Sequence, residues 1–150
     1  MGLDMYLTKR VYVGANHEHM KVTGTLEVQQ DGKEICSGIE NLSEVVYHVG
    51  YWRKANHIHK WFVEKIQDGV DECQESYVPK DRLKDLDQLC EQVLGDHSLA
   101  GQLLPCQSGF FFGGEDYDEW YFSDLEDTRK VIKGVLEDDK TGEIYYRSSW

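Results

Sequence analysis

Six residues in one short stretch have the chemistry of an anion site: Trp52, Arg53, Lys54, His57, Lys60 and Trp61. Guanidinium and ammonium groups hold phosphate or carboxylate, an imidazole titrates near neutrality, and an indole stacks on an aromatic ring. Read as a helix over 51–66, the stretch places Tyr51, Trp52, Ala55, Ile58, His59, Phe62, Val63 and Ile66 on an apolar side. Arg53, Lys54, His57, Lys60 and Trp61 then share the polar side. This group is expected to hold a small anionic, nucleotide-like ligand, with Trp52 or Tyr51 and the loop from Ser108 to Gly114 as further walls. His57 and His59 cannot share a metal on such a helix, because residues two apart diverge by about 200°. His59, on the apolar side, reads as a hydrogen-bonded core residue.

Other constellations offer less. His17 and His19 would point the same way in an extended segment and could chelate a cation, yet no third ligand stands at a useful spacing. No metal and no cofactor are expected. The run Gln107-Ser108-Gly109-Phe110-Phe111-Phe112-Gly113-Gly114 matches neither phosphate-loop fingerprint, and Ser108 is not in a hydrolase elbow. Its three phenylalanines are expected to plug a core edge. Seven carboxylates and no basic residue fill 115–127, which suits a solvated helix start or a face for a basic partner. The cysteines Cys36, Cys73, Cys90 and Cys106 form no C-x-x-C pair and are expected to be free thiols.

The elements that must position these groups follow from periodicity. Leu3, Met5, Leu7, Val11 and Val13 alternate with polar residues, which predicts a half-buried strand. A second strand is expected over Val22–Val28, and Asp31-Gly32 turns the chain into a third at Lys33–Cys36. Glu44–Tyr47 is expected to be a short helix or turn. Beyond the helix over 51–66, a second helix starts near Pro79 and stops before Gly95. A third begins near Glu115 or Tyr117 and runs to Leu136, with Tyr121, Leu125, Thr128, Ile132 and Val135 as its buried seam. Glu143–Ser148 reads as a last strand able to pair with the first. The sum is one α+β domain over 1–150, a small mixed or antiparallel sheet carrying three helices.

Charge narrows the function classes. The chain carries −12 over 150 residues, yet residues 51–66 are net positive, four cations against one acid. The total opposes extended nucleic-acid binding and leaves room for one small anion at one place. No run approaches the ~20 apolar residues of a membrane span, and no basic segment precedes an apolar one at the N-terminus. A cytoplasmic protein is expected, with no membrane partner and a possible homo-oligomer.

Three segments carry a resemblance: Gly2–Arg10, Gly50–Val63 and Leu103–Gly113. On these the chain resembles a family of small phage- and prophage-encoded proteins. The resemblance implies a viral origin and a setting in the host cytoplasm, and it assigns no site residue. In that setting the expected function is non-enzymatic: evading host defence by sequestering the nucleotide-like ligand. The alternative is an inhibitor that engages a host nuclease or effector through its acidic surface. A third reading is a small hydrolase with His57 or His59 as general base.

Overall fold

Alternation in the first strand sets the architecture. In β1 (Asp4–Tyr12), Met5, Leu7 and Lys9 point inward while Asp4, Tyr6, Thr8 and Arg10 take the other face. The computed structural model describes residues 2–14, 19, 23–38 and 42–150. β2 (Glu27–Gln30) and β3 (Lys33–Ser37) form an exposed hairpin. Asp31 and Gly32, with φ of 52° and 73°, make its turn. β4 (Glu44–Arg53) follows, then α1 (Asn56–Lys65), β5 (Ser76–Tyr77) and α2 (Lys80–Gly95). A short α3 (Ala100–Leu103) leads through an irregular stretch to α4 (Glu119–Glu137) and β6 (Glu143–Ser149). The main sheet has the order β4-β1-β6-β5 with every neighbouring pair antiparallel. The fold is α+β, and β6 pairs with β1 from Asp4↔Ser149 to Arg10↔Glu143.

Two expectations are corrected along β4. Glu44–Tyr47 is strand, not helix or turn, and the strand continues through Tyr51 and Trp52 to Arg53. The helix thus begins at Asn56 rather than 51. The β-branched and aromatic residues from Val45 to Trp52 favour a pleated ladder, and β1 supplies the pairing partner. The apolar phase of strand and helix happens to run on without a break, so periodicity alone hides the junction at Lys54.

Helices pack on the inner face of the sheet. α4 buries Tyr121, Leu125, Thr128, Ile132 and Val135, and α2 buries Leu83, Leu86, Cys90 and Val93 beside it. Arg129 ties the two together through Asp87 at 2.8 Å and Glu91 at 3.0 Å. Gly50 lets α4 lie close over β4: a Cβ there would come 2.6 Å from Val131 Cγ1. Trp52 Nε1 donates to Thr128 Oγ1 at 2.9 Å, and that hydroxyl donates to the Asp124 carbonyl at 2.6 Å. The start of α4 is thereby fixed against the end of β4. Among the described residues no helix is long and apolar enough to cross a membrane.

His59 is the hydrogen-bonded core residue its position predicts. Its ring is fully buried, with Nε2 2.9 Å from Asp71 Oδ2 and Nδ1 2.7 Å from the Tyr146 hydroxyl. Because a carboxylate only accepts, Nε2–H donates to Asp71. Asp71 also accepts from Trp150 Nε1 at 3.0 Å. The acidic loop after α1 and the last residue of the chain are so fastened to the core. All four cysteines are free, and Cys90 is buried in α2.

Candidate functional site

Between the end of β4, the start of α1 and the start of α4 lies a cleft of about 300 Å³. That volume is at the lower end of cavities that hold small ligands. Arg53 and Lys54 stand at one rim, and Asp116, Asp118 and Asp124 line the other side. The basic and acidic segments of the sequence, some sixty residues apart in the chain, thus face each other across one opening.

Backbone geometry builds the basic rim. The turn from β4 into α1 is made at Lys54, which adopts a left-handed φ of 60°, a conformation that costs a non-glycine residue about 1 kcal/mol. Lys54 N donates to Leu3 O at 2.8 Å, which anchors the turn to the edge of β1. No side chain caps α1, because its N-cap is Ala55, and the Asn56 side chain is used elsewhere. Its amide donates to Gly114 O at 2.8 Å and to Phe112 O at 3.3 Å, while its carbonyl accepts from Gln107 N at 2.9 Å. One buried amide therefore clamps both ends of the glycine-rich loop. Gly113, at φ +100°, is held so close that a Cβ would stand 3.0 Å from Lys54 Cβ and 3.1 Å from its carbonyl oxygen.

The acidic side is organised by the start of α4. Asp118 caps the helix, accepting from Trp120 N at 3.0 Å and Tyr121 N at 3.1 Å. The Tyr121 hydroxyl donates to Leu104 O at 2.9 Å, and its ring lies 4.2 Å from that of His57. His57 is 3 % exposed and its Nε2 has no hydrogen-bond partner. Burial pushes its pKa down to about 3, so the ring is neutral. A base that weak draws few protons at neutral pH, which argues against the general-base reading. One turn along α4, burial and the nearby Asp127 and Asp118 push the Asp124 carboxyl up to about 7. Burial, with Glu115, Asp116 and Asp118, also raises the Cys106 thiol, and such a thiol is a poor nucleophile. Trp120 stands at the rim, 73 % exposed.

The structure gathers Arg53, Lys54 and His57 at the cleft and separates them from the rest of the expected group. Trp61 is buried at 5 % exposure, edge-on to Phe62, and offers no platform. Trp52 is a core residue of β4, bonded to Thr128. Lys60 is half-buried on α1, 4.0 Å from Glu64 and away from the cleft lining. Ser108 is exposed and also outside the lining. Of the three phenylalanines only Phe112 enters the core, whereas Phe110 is 85 % exposed. Asn56, Trp120, Tyr121 and Asp124 complete the site. The aromatic rim is supplied by the acidic segment, where Trp120 follows Asp118-Glu119. His17 lies outside the described residues, and no group of three or more His, Cys, Asp or Glu among the described residues could hold a metal ion.

Other cavities have different chemistry. Beneath β1, Lys9 pairs with Asp138 at 2.6 Å, and between α2 and α4 Arg129 is doubly paired. Their principal charges are already matched, whereas His57 Nε2 and the Asp124 carboxylate are not. The fold and site define an α+β protein with a small, charge-divided cleft at a strand–helix junction. No family model, curated protein or solved structure matches the chain.

Proposed function

We propose that the cleft retains a small nucleotide-like anion, with Arg53 and Lys54 on its phosphate and Trp120 against its base. The observation that carries this reading is a cleft walled by the neutral His57 ring whose rim bears two cations and an exposed indole. The neutral imidazole and the raised thiol suit retention rather than turnover. In the phage setting implied by the sequence resemblance, this protein sequesters a nucleotide signal in the host cytoplasm and so blunts a defence response. Calorimetric titration of the full chain with nucleoside monophosphates and cyclic nucleotides tests it. Saturable heat, lost in Arg53→Ala, supports the reading; no heat with any of them refutes it.

A second reading, an inhibitor that engages a basic host protein, is favoured by a different observation. Phe110 and Trp120 are 85 % and 73 % exposed beside the seven-carboxylate segment, and exposed aromatics often anchor protein interfaces. Glu119→Lys would abolish that association and leave nucleotide heat intact.

A further inference from the structure

The outer face of the main sheet is aromatic where a solvated sheet face is ordinarily polar. Helices pack on the inner face, and among the described residues the outer one stays open: Tyr51 is 52 % exposed and Tyr77 54 %. The registers of β1 with β4 and β6 set Tyr6 beside Tyr51, and Thr8 between His48 and Tyr145. The rings gather in pairs, Tyr6 with Tyr51 at 5.5 Å and Tyr77 with Tyr145 at 5.9 Å. Arg147 lies over Tyr6 at 5.5 Å and Arg10 over Tyr145 at 4.5 Å. With Arg53, the face holds three of the chain's five arginines and, among the described residues, no lysine. Protein interfaces share this bias, because rings and planar guanidinium groups give contact area at little entropy cost.

Charge on this face is divided along the strands. At one end Arg53 and Arg147 meet a single acid, Asp4, 3.9 Å from Arg53. At the other, Arg10 stands among three: Glu44 at 3.0 Å, Glu75 at 2.6 Å and Glu143 opposite it in register. The first end is net positive and the second net negative. Four acids against three arginines give no positive field for a phosphate backbone, which argues against a nucleic acid. A face whose ends differ in sign complements itself when reversed.

We propose that this face binds a second copy of the chain, sheet to sheet, with the strands of the two copies opposed. A two-fold axis in the plane of the interface, crossing the strands near Thr8, sets Arg147 of one protomer against Glu143 of its partner. The same axis sets Arg53 against Glu44 and Tyr6 against Arg10, each contact made twice by symmetry. Four strands about 4.8 Å apart and about 25 Å long offer roughly 500 Å² per copy, the small end of specific interfaces. The dimer therefore forms at micromolar rather than nanomolar concentration. It is independent of the nucleotide reading.

Sedimentation equilibrium of the full chain, from low micromolar to submillimolar concentration, tests the pairing. The mass should rise from the 17.4 kDa of one chain to twice that value. Arg147→Glu and Glu143→Arg should each weaken association about 10- to 100-fold, since each sets like charges together at two symmetric contacts. An equimolar mixture of the two variants should recover the dimer, because the two reversals then face each other. Glu44→Arg, on a different strand, should weaken the dimer likewise. Should Glu143→Arg not fold, because that carboxylate also accepts from the Tyr145 hydroxyl at 2.7 Å, Glu44→Arg and the wild-type mass decide. A chain that stays single throughout overturns the proposal, and so does a dimer that none of the reversals loosens. Fluorescence anisotropy with a labelled single-stranded oligonucleotide covers the other occupant. Saturable binding to a monomeric chain, lost in Arg147→Glu, would give the face to nucleic acid and overturn the dimer.

Discussion

Acid dependence of stability exposes the two cleft groups separately, because burial pushes them in opposite directions. His57 has its pKa pushed down to about 3 from an ordinary 6.5. Below pH 6.5 the unfolded chain takes up a proton that the folded chain refuses, so stability falls with acidification. At about 1.4 kcal/mol per pH unit, the loss between pH 7 and pH 5 is about 2 kcal/mol. Asp124 is pushed up to about 7 from 3.8. Between those values the folded chain keeps a proton that the unfolded chain has released, so acidification restores stability. The full excursion from pH 7 to pH 5 would return about 2 kcal/mol, and partial solvent exposure reduces this to about 1 kcal/mol. The two slopes oppose each other in the wild-type chain. In His57→Phe, which keeps a ring against Tyr121, stability relative to wild type should rise by about 2 kcal/mol from pH 7 to pH 5. In Asp124→Asn it should fall by about 1 kcal/mol over the same range. Urea unfolding at pH 5, 6, 7 and 8 reads both, and all other titrating groups cancel in the differences. Parallel pH profiles for wild type and either variant would refute the burial argument for that residue.

Asn56→Ala removes three hydrogen bonds from the glycine-rich loop and should cost about 2–3 kcal/mol. Hydrogen exchange should show the added mobility confined to residues 107–114, and uniform loss of protection would contradict the clamp. Lys54→Gly relieves the left-handed φ of 60° and should stabilise the chain by about 0.5–1 kcal/mol. The same change removes a rim cation and should weaken nucleotide binding 5- to 10-fold. A variant both less stable and fully competent in binding would show that Lys54 is not held for the ligand.

The fold was largely legible in the sequence because its signals are local. β1 follows strict alternation, Asp31-Gly32 makes its hairpin, Pro79 and Gly95 bracket α2, and the seam of α4 keeps helical period throughout. The site was legible only in part. Arg53, Lys54 and His57 reach the cleft, but the β4–α1 junction lacks the usual helix-start residue at Ala55. The Asn56 side chain, which could have marked a cap, is spent on a loop fifty residues away. The strand-to-helix break turns Trp61 into the core and leaves the indole role to Trp120. Asp124 looks like one of seven similar acids in sequence. Only packing against α1 and β4 sets it apart, and packing has no local signal.

Amide correlation spectra of the full chain, recorded while a nucleoside monophosphate such as GMP is titrated in, test the central claim most directly. Shifts concentrated at residues 53–57 and 106–124, with movement of the Trp120 indole N–H, are the predicted result. No shifts, or shifts centred on the outer sheet face around Tyr6 and Tyr51, would contradict a ligand site in the cleft.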